Sequence, residues 1–261
     1  MIARADLHFW EEPCISGRNG SGTVFFSGCS LNCVYCQNYE ISHKNKGKVI
    51  SVERLAEIFR ELEQKGAENI NLVNPTHYVR AIKSALDIYK PKIPIVYNSS
   101  GYESDESLEI AMNFADIFLL DLKYLTPERA KRYSNAADYP DRAKKTILKV
   151  SRSIANRFDT KGMMMSGLIV RHLILPQGTN EAMMVIKWLE DNISDAVLSI
   201  MSQYTPCGDL DVFPELQRKI TKREYKKVLD FAEDSKIETI FTQEMKSADE
   251  SYIPSFDYKG V

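Results

Sequence analysis

The chain has 261 residues, with 34 Lys and Arg against 36 Asp and Glu for a net charge of −2, and its pI is near 6.1. That balance gives no whole-molecule electrostatic reason to expect nucleic acid or an anionic membrane as partner, and 44% hydrophobic with 27% charged residues suits a globular protein with a sizeable core. No window approaches the ~18 continuous apolar residues of a membrane span, and the opening MIARADLHFWEEPC lacks a charged head followed by an apolar run, so neither a span nor a secretory signal is expected and the expected compartment is the cytoplasm.

In chain order, GTVFF (22–26) reads as a strand. Residues 51–65 read as a helix: Ser51 can cap it, and Val52, Leu55, Ile58, Phe59 and Leu62 repeat with helical period. NINLV (69–73) is strand-like and 76–90 helical. IPIVYN (93–98), DIFLLDLK (116–123), GLIVRHLIL (167–175) and AVLSIMSQY (196–204) are further strands, with helices near 104–114, 138–158 and 180–192 between them. A helix at 221–234 and a strand at 237–242 follow, and the tail 243–261 reads as irregular. No repeat, low-complexity block or linker interrupts the pattern, so one domain over 1–261 is expected, with a core at about 20–205 and an extension over 206–261. Alternating β and α units argue a parallel sheet with helical crossovers, and a doubly wound sheet or a full or partial barrel fits equally.

The chemistry-bearing stretch is SGCSLNCVYCQN (27–38), where Cys29, Cys33 and Cys36 have the spacing C-x3-C-x2-C and no fourth cysteine is near. Five cysteines, an odd number with three clustered, suit metal binding in a reducing compartment better than a disulfide framework. Closed structural metal sites normally take four ligands, whereas three leave one position open for chemistry. Gly, Ser, Asn and Gln flank the thiols in a loop after a strand, which argues against core packing. A zinc site completed by a remote ligand such as His43 is the alternative, although structural zinc sites usually pair two C-x2-C elements and one is present here. An iron–sulfur cluster on three thiolates is the better reading, with Cys14 and Cys207 standing apart.

Asp121 and Lys123, two apart on a strand, share one face. Charges there would be costly against a sealed core but suit a strand end at a barrel mouth. Arg171, inside the apolar LIVRHLIL, needs an acidic neighbour such as Asp121, and His172 then points to the opposite face, packed under a helix. GRNGSG (17–22) precedes its strand and so is not a dinucleotide loop, and Met163, Met164 and Met165 read as packing.

The cysteine spacing, with an aromatic before the last Cys, resembles the radical S-adenosylmethionine (radical SAM) superfamily. The order FFSGCSLNCVYCQN, LVNPT, VYNSSG, FLLDLK, VRHLILPQGTN, SQYTP is similar to its pyruvate formate-lyase activating enzyme branch, over about 20–205. The resemblance implies a single-domain, incomplete parallel (β/α)6 TIM-like barrel with a C-terminal extension. It also implies a [4Fe–4S] cluster on Cys29, Cys33 and Cys36, and S-adenosyl-L-methionine (SAM) on the open iron. SAM would be held by Tyr35, Gln37, Asn38, Asn74, Thr76, Asn98, Ser100, Asp121, Lys123, Arg171, Tyr204 and Thr205. The implied activity is reductive cleavage of SAM to methionine and a 5′-deoxyadenosyl radical that abstracts hydrogen. The implied partners are a protein or peptide substrate such as a glycyl-radical enzyme and an electron donor such as flavodoxin or ferredoxin. Modification of RNA, a peptide or a small molecule is the rival enzymatic reading, and a zinc-stabilised binding module the non-enzymatic one. The chain departs from the branch in three places. In Val73-Asn74-Pro75-Thr76 only the Pro matches the Gly-Gly-Glu-Pro element, Asn98 stands where characterised activating enzymes carry an Asp beside a monovalent cation, and Tyr204-Thr205 stand where those enzymes have a His.

Replacing Cys29, Cys33 or Cys36 by Ala is expected to abolish cluster assembly, because a thiolate lost from a set of three has no local substitute. Joint Cys14→Ser and Cys207→Ser should leave assembly intact. Iron and acid-labile sulfide in anaerobically reconstituted protein read both outcomes.

Overall fold

Apolar and β-branched runs build one sheet in the computed structural model, which describes residues 1–243 and 255–261. β1 (Ile2–His8) pairs antiparallel with β2 (Ser21–Phe26). Parallel to β2 then come β3 (Ile70–Val73), β4 (Ile95–Ser99) and β5 (Ile117–Asp121). A two-residue β6 (Arg157–Phe158) folds back antiparallel on β7 (Met164–Leu173), which itself lies parallel between β5 and β8 (Val197–Met201), and β9 (Thr239–Thr242) ends the sheet. No pairing joins β9 to β1 among the described residues, so the barrel is incomplete. This is the expected parallel architecture, with β9 as the strand of the C-terminal extension.

Helices cover the outer face. α3 (Val52–Gln64) starts where Ser51 accepts a hydrogen bond from the Arg54 amide, and it buries Leu55, Ala56, Ile58, Phe59 and Leu62. α4 (Val79–Ile88) follows a 3-10 turn at Thr76–Tyr78, and α5 (Asp105–Met112), α7 (Tyr139–Ser153) and α8 (Thr179–Asn192) complete the crossovers. α9 (Lys222–Glu233) begins with a reciprocal Thr221–Glu224 capping box. The outer core joins Phe118, Leu120, Val170, Leu198 and Ile200 of the sheet to Ala143, Ile147, Val185, Leu189 and Val228 of these helices.

The inner face is filled differently. The β1–β2 connection enters the barrel and forms the short helix α1 (Pro13–Ser16), whose Cys14 and Ile15 pack on Val96, Ile117, Leu119, Ile169 and Val197. This plug closes the floor under the strands' N-terminal halves, and Asn69 Nδ2 ties it down through the Ile15 carbonyl at 2.7 Å.

Four features depart from the sequence reading. β1 was hidden because IARADLH places Arg4 and Asp6 on a strand, where they pair with each other and, through Arg4, with Asp257. The C-terminal residues 255–261 are irregular as expected but run along β1, giving Tyr258 N→Ala3 O at 3.0 Å and Ala5 N→Lys259 O at 2.9 Å; residues 244–254 of the expected tail lie outside the described residues. A further helix, α6 (Pro127–Ser134), has a sequence rich in charge and buries only Ala130, Tyr133 and Ser134. The helix expected over 138–158 stops at Ser153, because β6 pairs with the start of β7.

Gly101, after β4, has φ +76°, and a Cβ there would lie 2.7 Å from the Asp121 carbonyl. Gly101→Ala should therefore cost about 1–3 kcal/mol of stability through left-handed backbone strain alone, with the overlap added. Urea denaturation measures it, and a wild-type midpoint would show that the loop relaxes freely.

Candidate active site

Asn98, Asp121, Lys123, Arg171 and the cysteine loop lie at or beyond the C-terminal ends of parallel strands, the end where β/α barrels carry their chemistry. Beyond β2 the chain turns through Ser27–Gly28 into the cysteine loop, which α2 (Tyr39–Ser42) terminates. The loop is held at several points. The Val34 amide donates to Tyr133 O on α6 at 2.9 Å, the Gly28 amide to Ile41 O at 2.8 Å, and the Leu31 amide to Cys29 Sγ at 3.4 Å. Two serines from outside the motif also meet the thiols, Ser134 at 3.0 Å from Cys33 Sγ and Ser42 at 3.1 Å from Cys36 Sγ. Burial pushes the Cys33 thiol up to about 12 and raises that of Cys29. Burial thus favours the protonated form of Cys29 and Cys33 without metal, and a metal would take them as thiolates with release of protons.

Facing the thiols is a buried ionic network. Arg171 Nε donates to Asp121 Oδ1 at 2.9 Å, Nη2 to Asn98 Oδ1 at 2.7 Å and Nη1 to Glu11 Oε2 at 3.3 Å. Lys123 Nζ donates to Asp121 Oδ2 at 2.6 Å, so Asp121 and Lys123 do share a face, and Arg171 does meet the acidic neighbour its strand required. Burial works to raise the Asp121 pKa, but Arg171 and Lys123 outweigh it and hold the carboxyl below its usual range. His172, one residue on, is buried on the other face against the Leu122 carbonyl at 2.7 Å.

Glu11 and Glu12 were not anticipated. They stand on the plug, and only the path of the β1–β2 connection through the barrel brings them here. Glu11 Oε1 accepts from Asn71 Nδ2 at 3.0 Å and Asn98 Nδ2 at 3.3 Å. Glu12 is buried with its Oε2 unpartnered, and so is Asn71 Oδ1. Burial raises the pKa of both glutamates, against the opposing charge of Arg171. No sequence signal beyond two adjacent acids before a proline marks them.

Glu11, Asn98, Asp121, Lys123 and Arg171 line a cavity of about 220 Å³ together with Cys33, Cys36, Tyr35, Gln37 and Asn38. Apolar Phe25, Val73, Leu173 and Met201 fill in its wall, and His8, Trp10 and Gln203 complete it. Of the residues expected around SAM, Tyr35, Gln37, Asn38, Asn98, Asp121, Lys123 and Arg171 converge there. Asn74, Thr76, Ser100, Tyr204 and Thr205 lie outside this lining. Asn74 adopts φ +57° with its amide on Asn98 O, Thr76 Oγ1 donates to Glu103 at 2.8 Å, and Ser100 Oγ accepts from the Tyr102 amide at 3.4 Å. Tyr204 is buried with its hydroxyl on Leu216 O, its ring edge-on to Tyr35, and Thr205 is buried beside it. Gln37 Nε2 donates to Gln203 O at 3.0 Å. Cys207 touches the Tyr35 carbonyl at 3.3 Å, whereas Cys14 belongs to the barrel floor.

The donor set fits the implied groups. Cys33 and Cys36 line the cavity, Cys29 stands in the same loop, and Lys123 lies close enough to act on Cys29 and Cys33 electrostatically. The alternative fourth ligand, His43, is engaged with Ser42 Oγ at 2.8 Å and stacked on Tyr39. Beside the thiols, two acids and two bases suit a ligand that itself carries an ammonium and a carboxylate, as the amino-acid end of SAM does.

Comparison with known proteins agrees. Residues 23–169, more than half of the chain, match the Radical SAM superfamily, and the chain belongs to that superfamily. Its cofactors are accordingly a [4Fe–4S] cluster and SAM, and it is a radical SAM enzyme. It is 27% identical over 245 residues to the "uncharacterized protein MJ0674" of Methanocaldococcus jannaschii, covering 90% of this chain and 68% of that one. Its fold is similar to Streptococcus suis SuiB bound to precursor peptide SuiA, at TM-score 0.60 and 14% identity, covering 84% of this chain and 47% of SuiB. The chain thus spans about half the length of SuiB. Methylornithine synthase (PylB) matches at TM-score 0.52 and 14% identity, over 84% of this chain and 70% of that one. No helix among the described residues is long and apolar enough to cross a membrane.

A carboxyl whose folded pKa is raised weakens the fold once pH passes its unfolded value, about 4.3 for Glu, and the penalty grows until the folded pKa is passed. Glu12 is such a group. Glu12→Gln should therefore gain stability relative to the wild type, with a larger gain at pH 8 than at pH 5. Urea midpoints at the two values check the sign.

Proposed function

We infer that this radical SAM enzyme abstracts hydrogen from a protein or peptide glycine, in the manner of a glycyl-radical enzyme activase. The observation that carries the reading is the single mouth at which Cys33 and Cys36 share a cavity with Asn98, Asp121, Lys123 and Arg171. Three further features support a large substrate. No pairing joins β1 to β9 among the described residues, the motif order follows the activating enzyme branch, and SuiB, whose fold this chain resembles, has been seen with a precursor peptide.

In this reading Cys29, Cys33 and Cys36 hold the cluster. Bound together, the cluster and SAM supply one-electron cleavage of the sulfonium and a 5′-deoxyadenosyl radical. Asp121 orients toward the SAM ammonium while Lys123 and Arg171 keep it ionised and face the SAM carboxylate. Asn98, Gln37 and Asn38 complete the polar wall, and Tyr35 presents its backbone to the adenine. Asn74, Thr76, Ser100, Tyr204 and Thr205 support that wall from outside the cavity. Phe25, Val73, Leu173 and Met201 exclude water from the hydrogen-abstraction step. The electron comes from a carrier of the flavodoxin or ferredoxin class.

Lys123→Ala and Asp121→Ala should each weaken SAM binding by about 1.5–3 kcal/mol, tenfold or more in affinity, while leaving cluster content unchanged. Calorimetric titration of SAM into reconstituted protein reads this, and unchanged affinity in both would move SAM elsewhere. For the substrate, a glycyl-radical enzyme partner should acquire a stable backbone radical by electron paramagnetic resonance. If every such partner stays radical-free while RNA or metabolite extracts accelerate 5′-deoxyadenosine release, the activase role falls and modification of RNA or a small molecule replaces it.

A further inference from the structure

A file of hydroxyls runs from Cys33 through Ser134 and Tyr124, neither of which lines the cavity, to Tyr35, which does. Ser134 Oγ is 3.0 Å from Cys33 Sγ, Tyr124 Oη is 2.9 Å from Ser134 Oγ, and Tyr35 Oη is 2.6 Å from Tyr124 Oη. Relative exposures are 2% for Ser134, 1% for Tyr124 and 6% for Tyr35, so no bulk water competes for these protons. The file is built from three separate elements. Ser134 ends α6, whose left-handed Asn135 cap and whose Tyr133 carbonyl, bonded to the Val34 amide, fix that helix end against the cysteine loop. Tyr124 follows Lys123 beyond β5, and Tyr35 stands inside the motif, between two ligands.

The direction of the file is decided by the sulfur. A thiolate has no proton to give, so once Cys33 is ionised Ser134 must donate to it. Ser134 has a single proton, so it can then only accept from Tyr124, and Tyr124 in turn accepts from Tyr35. Each hydroxyl polarises the next, and the charge-assisted bond at the sulfur is the one strengthened. The other thiols are supported differently: Cys29 by the Leu31 amide at 3.4 Å, and Cys36 by Ser42, whose neighbour His43 is only half-buried.

We propose that Ser134, aligned by Tyr124 and Tyr35, is a positioning residue that donates a hydrogen bond to the Cys33 thiolate and raises the reduction potential of the cluster, so that a carrier protein can reduce it. The physical basis is that a donor at a cluster sulfur stabilises the more negative, reduced state more than the oxidised one. The proposal rests on the assignment of Cys33 as a cluster ligand, and it adds a control of the cluster's potential through Ser134 and Tyr124, which lie outside both the cysteine motif and the cavity lining.

The test is a redox titration of reconstituted protein, followed by the electron paramagnetic resonance signal of the reduced cluster. Ser134→Ala should lower the midpoint potential by roughly the 59 mV that a tenfold change in a one-electron equilibrium represents. Tyr124→Phe keeps the ring contacts with Tyr133 and Tyr139 while removing the polarising hydroxyl, and should shift the potential in the same direction by less. Tyr35→Phe should shift it least. A fully loaded Ser134→Ala cluster at the wild-type potential overturns the proposal. If that variant fails to load, Tyr124→Phe decides alone, and a wild-type potential there overturns it equally. Wild-type protein that takes up no [4Fe–4S] cluster overturns the ligand assignment itself, and the proposal with it.

Discussion

The guanidinium of Arg171 is the point on which the interior depends. From β7 it reaches Asp121 on β5, Asn98 on β4 and Glu11 on the plug, and through Asp121 it is linked to Lys123. One side chain thus sets the lateral spacing of three strand ends and the height of the segment that fills the barrel. Buried ion pairs seldom add net stability over apolar packing, because desolvation offsets much of their attraction. Their effect is geometric: with each of the three guanidinium nitrogens engaged, the strand ends have few alternative arrangements. A site that must present charge to a small zwitterionic ligand needs that rigidity more than it needs a few kcal/mol.

The plug explains how such a network stays dry below and accessible above. Its lower half, Cys14 and Ile15, is apolar and packs in a cluster with six buried strand residues, while its upper half, Glu11 and Glu12, carries acids. The boundary between the two halves is Pro13, at the start of α1. Glu12 and Asn71 keep an unpartnered oxygen each at this boundary, the sort of unmet polar demand that concentrates at functional sites rather than in structural cores. The cysteine loop is supported from the far side by α6 and by the tyrosines after β5, so cavity and cluster loop are braced independently.

Much of this was legible in the chain. The C-x3-C-x2-C spacing is a local signal, complete within eight residues, and it singled out the three thiols without any fold. Asp121, Lys123 and Arg171 were legible because a charge inside an apolar strand has few physical excuses, and the strand period placed Arg171 and His172 on opposite faces. β1 was not legible, because Arg4 and Asp6 interrupt its pattern and their partners come from each other and from the C-terminal segment. α6 was hidden by a sequence whose buried side is three residues wide. Ser134, Ser42 and Glu11 carry no local mark at all, since their significance comes only from what long-range folding sets beside them.

The chain by itself therefore determined the parallel β/α class, the three thiols and the charged strand ends, since each rests on periodicity or on spacing within a few residues. Tertiary structure decided which polar groups meet. It sent the β1–β2 connection through the barrel and put Glu11 160 positions away from Arg171 in sequence but within 3.3 Å of it in space. It set Ser134 against Cys33 across 101 positions. Such contacts depend on the sum of strand order, crossover length and packing, and no local pattern encodes that sum.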